Sequence, residues 1–161
     1  MHGLSVATHW YPSELQITYG YLLMNISPSA LDTLTKTIWG EARGEGREGM
    51  IAVAWVILNR AAIGGWWGNS IETVCLKPWQ FSCWNANDPN APYMRGRKAI
   101  PGHQYTAARE AALAAVEGHE KDPTLGATHY YAPKAVKEPA WARSATKTTQ
   151  IGGHIFFKNV K

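Results

Sequence analysis

Residues 47–65, REGMIAVAWVILNRAAIGG, decide the fold. Every residue from Met50 to Leu58 is apolar, and Gly64-Gly65 close the run. A helix that is apolar all round needs packing on every side, so the stretch predicts a central buried helix over about residues 47–62. Upstream, SPSALD at 27–32 reads as a helix start. Ser29 with Asp32 three residues later fits a capping box, and Pro28 favours a non-helical approach. That predicts a first helix from about Ala30 to Arg43, ended by Gly44 and Gly46. Downstream, residues 64–103 are rich in Trp, Pro, Asn and Gly and lack a clear period. Long loops of that kind are usually functional. The Ala-rich stretch 104–117, capped by Gly118, predicts a third helix. THYYA (128–132) and GGHIFFK (152–158) read as strands that pair in a small antiparallel sheet. The fold class is therefore α+β, mainly α, in a single domain over 1–161 with an N-terminal arm at 1–28. No internal repeat or second domain is visible.

Composition narrows the function. The chain has 161 residues, 45% hydrophobic and 17% charged, enough for one sizeable core. No run of 18 apolar residues is present, which predicts no membrane insertion. Residues 1–28 lack a basic n-region, and Glu14 precedes the apolar LQITYGYLLM, so no export signal is expected. The net charge is +4 and the pI about 9.1, which favours polyanionic partners or serves solubility alone. The densest basic run is MRGRK at 94–98, too sparse to predict a nucleic-acid partner. Eight Trp and seven Tyr make a glycan site a candidate, since aromatic rings stack on sugar faces as well as filling cores. Cys75 and Cys83 flank Lys77-Pro78 and are expected to be close in space, free in the cytosol and able to bridge on oxidation.

Three glutamates lie in TIWGEARGEGREG, residues 37–49. On a helical wheel started at Leu31, Leu34, Ile38 and Ala42 fall within about 60° and form an apolar stripe. Glu41 falls at about −80°, on its margin. Desolvation there raises a carboxyl pKa toward the range of a general acid. The alternative is a structural salt bridge to Arg43 or Arg60. Glu45 is open to a surface ion pair with Arg43 or Arg47. Glu48 suits the first turn of the second helix, where the dipole stabilises a carboxylate.

IWGEARGEGREGMIAVAWVILNR (38–60) resembles the opening of SleB-like cell-wall hydrolases, the family of spore-cortex lytic enzymes and some phage endolysins. VCLKPWQFSCW (74–84) resembles the family's Gln-Phe-Ser segment. GATHYYAP and IGGHIFFK resemble its late Tyr-Tyr and Gly-His-x-Phe strands, with His129 where an aromatic or aliphatic residue is usual. The resemblance implies a lysozyme-like helical fold around a buried helix, beside a small sheet. It makes the first Glu of E-A-R-G-E, Glu41, the catalytic acid/base. The implied reaction is cleavage of the β-1,4 bond between N-acetylmuramic acid and N-acetylglucosamine in peptidoglycan. A lytic transglycosylase needs one carboxylate; a hydrolytic muramidase needs two, and Glu45, Glu48 and Asp88 are the candidates for the second.

Substrate contacts are expected from Glu45, Gln80, Ser82, Trp84, Tyr130, Tyr131 and His154. Phe81 is read as a core anchor, and Asn59 as a cap for buried backbone. His154 fits a satisfied strand histidine as well. On a strand, one of Tyr130 and Tyr131 points to the core and the other to the cleft. No metal or other cofactor is expected: His103, His119, His129 and His154 offer neither HExxH nor a close pair, which counts against a zinc amidase. A non-catalytic glycan- or nucleic-acid-binding module and a purely structural virion part are the other rivals. Lacking a visible leader or wall-binding domain, the chain is expected to be a monomeric phage or prophage endolysin, made in the host cytoplasm and released to the wall.

Overall fold

The computed structural model describes residues 26–161. Most of the expected N-terminal arm lies outside the described residues.

Helix α1 spans Pro28–Ala42. Its cap is Ser27, whose Oγ accepts the Ala30 N–H at 3.0 Å, and not Ser29. Pro28 sits inside the first turn, where its fixed φ suits the helix and its missing N–H is not needed. Asp32, expected in a capping box, instead pairs with Lys36 at 2.8 Å and accepts the Tyr105 hydroxyl at 2.7 Å.

Helix α2, Gly46–Ile63, is the central helix the sequence predicts: between Gly49 and Ala62 only Trp55 is not buried. It ends at Gly64, with φ 69°, a left-handed value that glycine adopts without strain. The segment expected to be a long loop is instead a chain of short pieces. These are a 3-10 turn Gly65–Trp67, helix α3 at Ile71–Leu76, a 3-10 turn Ser82–Trp84 and helix α4 at Ala91–Met94. Each is too short to carry a detectable period. Ser70 and Thr73 supply the capping box that starts α3.

Helix α5, Gly102–Val116, follows Pro101 and begins two residues before the expected start. Its alanines at 108, 111, 112 and 115 are fully buried, and small side chains there let α5 lie close to α1 and α2. Leu34, Ile38, Val53, Ile57, Leu58, Val74 and Val116 fill the space between these elements.

Strand β1, His129–Tyr131, pairs antiparallel with β3, His154–Lys158, as expected. A third strand, β2 at Thr146–Ile151, lies on the other edge of β3, giving the order β1-β3-β2. The register places Tyr130 opposite Phe156. Both face Ala52 and Val56, one turn apart on α2. His129, Tyr131 and Phe157 occupy the opposite face with Trp141. The molecule is thus mainly helical with a small three-stranded antiparallel sheet against the buried helix. No described helix is long and apolar enough to cross a membrane.

Candidate active site

Glu41 stands in the last turn of α1, half-buried, where that helix meets the sheet and the turn Ser82–Trp84. Its Oε2 accepts the Tyr130 hydroxyl at 3.1 Å, and its Oε1 lies 3.5 Å from the Cys83 N–H that points to it. Burial raises the Glu41 pKa above its ordinary 4.5, and hydrogen bonds from Tyr130 and from the thiol and N–H of Cys83 work against that rise. The negative charge of Asp88 adds to it. Tyr130 itself is pushed well above its ordinary value by burial and the neighbouring carboxyl, so it remains a hydroxyl donor.

Neither arginine considered as a partner makes a salt bridge to Glu41 among the described residues. Arg43 lies 4.1 Å over the Trp39 ring and donates to the Trp39 carbonyl at 3.2 Å. Arg60 is buried. It donates Nε–H to the Thr128 carbonyl at 2.7 Å and lies 4.3 Å over Trp67 and 5.1 Å over Phe81. Its Nη1 is buried with no partner, and desolvation lowers its pKa to about 10. It stays charged at neutral pH beside the site.

Glu45 caps α2 and reaches the sheet. Its Oε2 accepts the Gly153 N–H at 2.8 Å, across the turn joining β2 to β3. The expected surface ion pair is absent: Arg47 pairs with Glu120 at 3.0 Å instead, and Arg43 is held at Trp39. The turn is shaped around this carboxylate. Gly152 has φ 55°, and a Cβ there would come within 2.5 Å of the Glu45 Oε2. Glu48 occupies the first turn of α2, as read from the sequence.

His154 is 8% exposed, and its ring lies 4.9 Å from that of Tyr130. Its Nδ1 is buried with no hydrogen-bond partner among the described residues. Burial lowers its pKa, and Glu45 opposes the shift. So Glu45 acts on His154, His154 packs on Tyr130, and Tyr130 donates to Glu41. Tyr131 points the other way, stacked on Phe157 at 5.8 Å. The tyrosine on the core face is therefore also the one that reaches Glu41. The two tyrosines alternate faces as the strand predicts, and the one at Glu41 is Tyr130.

Trp84 packs on the core and donates its indole N–H to Thr37 Oγ1 at 3.0 Å. Phe81 is buried, as read; Ser82 is exposed and Gln80 half-buried on the same segment. Asn59 caps buried backbone by donating to the Ala127 carbonyl at 2.8 Å. Cys75 and Cys83 are buried and free. Burial pushes both thiols up, that of Cys75 to about 12. Among the described residues no group of three or more His, Cys, Asp or Glu is placed to hold a metal ion. Sequence reasoning missed the Cys83 N–H, because a backbone donor leaves no trace in residue type. It weighed Arg60 only as a salt-bridge partner.

A family profile described as Cell Wall Hydrolase matches residues 44–157. The chain belongs to the cell wall hydrolase family. It is 36% identical over 124 residues to the spore cortex-lytic enzyme of Bacillus subtilis (strain 168), covering 76% of this chain and 35% of that one. It is 32% identical over 130 residues to the spore cortex-lytic enzyme of Halalkalibacterium halodurans, covering 81% and 35%. The chain thus spans about a third of the length of these curated relatives. Its fold is similar to the crystal structure of the catalytic domain of the Bacillus cereus SleB protein, with a TM-score of 0.65 and 29% identity over 83% of this chain and 93% of that one. The catalytic domain of the germination-specific lytic transglycosylase SleB from Bacillus anthracis matches equally, covering 83% and 98%. The resemblance read in the sequence was thus to the right family. In this cell wall hydrolase the profile match begins just past Glu41, so the case for that residue rests on its surroundings.

Proposed function

We propose that this cell wall hydrolase cleaves the peptidoglycan glycan strand between N-acetylmuramic acid and N-acetylglucosamine, as a lytic transglycosylase with Glu41 as its acid and base. The observation that carries the reading is a carboxyl kept partly out of water and held by neutral donors, with no cation paired to it among the described residues. Such a carboxyl retains a proton to higher pH than an exposed one.

Glu41 gives that proton to the glycosidic oxygen as the bond to the muramic acid C1 breaks. The resulting carboxylate then takes the proton of the muramic acid 6-hydroxyl. The oxygen closes on C1, and a 1,6-anhydro ring forms without water. Tyr130 and the Cys83 N–H orient the carboxyl in both steps and stabilise it once it is ionised. Gln80 and Ser82, beside Cys83, are the proposed contacts for sugar hydroxyl and acetamido groups. Glu45 is occupied at Gly153, and Trp84 at Thr37, so we assign both to holding the cleft's walls.

One observation favours hydrolysis as a second reading. Asp88 is near enough for its charge to act on Glu41, which would suit a second carboxylate. Mass spectrometry of fragments released from purified sacculi decides between the two. Anhydromuramic ends are the expected result; reducing muramic acid ends would make the reaction hydrolytic and Asp88 the next residue to change. Glu41→Gln should lower release by about 100-fold or more. A folded Glu41→Gln protein with full activity would remove the assignment.

A further inference from the structure

Trp79 has φ 67° and is 81% exposed. It occupies the third position of the turn Lys77–Gln80, in which the Gln80 N–H reaches the Lys77 carbonyl at 3.2 Å and Pro78 is second. That position ordinarily takes glycine, and a bulky side chain with positive φ is an outlier. A ring that buries so little of itself repays no strain within the fold. Backbone strain of this kind concentrates where a protein contacts something else.

A second indole stands nearby in the fold. Trp66 is 63% exposed, and Lys77 Nζ lies 4.5 Å over its ring. Trp66, Trp67, Leu76 and Lys77 line an open concavity of about 440 Å³ that Glu72 also borders. Glycines shape it: Gly68 has φ 103°, and a Cβ there would come within 2.6 Å of Thr73 Oγ1. The concavity adjoins the candidate site through Trp67, which touches Arg60, whose charge acts on Glu41 and Tyr130. Trp79 precedes Gln80–Cys83, the segment that ends at Glu41.

We propose that Trp66, Lys77 and Trp79 form a stacking platform for the peptidoglycan glycan strand, outside the catalytic centre. The proposal rests on the glycan-cleaving reading above. Pyranose rings present C–H faces to indoles. Lys77 meets the carboxylates of the lactyl or stem-peptide groups, and Glu72 accepts sugar hydroxyls. Alternating rings and polar groups suit a hydroxyl-rich polymer better than an acyl chain. The platform runs on into the Gln80–Cys83 segment, whose Cys83 N–H points to Glu41.

The test uses binding to purified sacculi in a Glu41→Gln background, where turnover does not deplete the polymer. Adding Trp79→Gly or Trp66→Ala should weaken binding about tenfold each, as loss of a stacking indole does. Trp79→Gly should melt at the same or a higher temperature, because glycine accepts the positive φ. With Glu41 intact, Trp79→Gly should retain turnover of short soluble muropeptide oligomers. Undiminished sacculus binding by both variants overturns the proposal. So does a lower melting temperature for Trp79→Gly, which would make the indole a structural residue. Binding to phosphatidylglycerol vesicles with none to sacculi would make the patch a membrane contact and also overturn it. Binding that needs the two indoles, with no fragments released by the unaltered protein, would sustain the platform and sink the catalytic reading instead.

Discussion

At Glu41 burial and hydrogen bonding oppose each other, and burial prevails. The folded pKa lies above the unfolded one, so the protonated carboxyl is the form the fold favours. The stability this confers is present below about pH 4.5 and is lost as pH rises through the folded value. Glu41→Gln should therefore melt close to the unaltered protein in acid and progressively above it as pH rises, measured by calorimetry across pH 4–8. Tyr130→Phe removes a donor that favours the carboxylate. The Glu41 pKa should rise further, moving the alkaline limb of the pH–activity profile to higher pH, with a rate loss of roughly tenfold. His129 differs in sign. Burial and Arg60 lower its pKa to about 4, so its contribution is present above 6.5 and is lost as pH falls toward 4. His129→Phe should flatten the acid limb of the stability curve. Glu41 was legible in the sequence because its place at the edge of an apolar stripe follows from helical periodicity. Its partners were not. Cys83 reaches it with both its thiol and its N–H, from 42 residues away. The choice of Tyr130 over Tyr131 depends on the pairing of β1 with β3.

Among the elements, α2 declares itself, because nine consecutive apolar residues admit few environments. Strand β2 does not. Its sequence TKTTQI has one apolar residue, and it is a strand because β3 offers an edge to pair with. The short helices between α2 and α5 are set by packing rather than period, which is why they read as loop. The contact between α1 and the Ser82–Trp84 turn is tight at Gly40. A Cβ at Gly40 would lie 2.6 Å from the Cys83 Cβ, and Cys83 has no flexible end to yield. Gly40→Ala should cost about 1–3 kcal/mol in a denaturant titration, typical of overpacking. Because the turn must retreat, its N–H should leave Glu41, and activity should fall even where the variant is fully folded.

Across the whole molecule, the charge of +4 acts at long range on an anionic polymer and little on a short fragment. The Debye length shortens from about 10 Å at 0.1 M salt to about 3 Å at 1 M. Raising salt should thus reduce activity on intact walls more than on soluble oligomers, as paired rate measurements would reveal. The bond from Glu45 to Gly153 has a consequence of another kind. It fastens the tip of the β2–β3 hairpin to the first residue before α2, so the turn between two strands is tethered to the most deeply buried helix. Hairpin tips ordinarily open alone, and their amides exchange with solvent quickly. Here the Gly153 amide should exchange slowly, in step with the interior amides of α2. Glu45→Ala should uncouple the two, so that deuterium enters the hairpin while the helix stays closed.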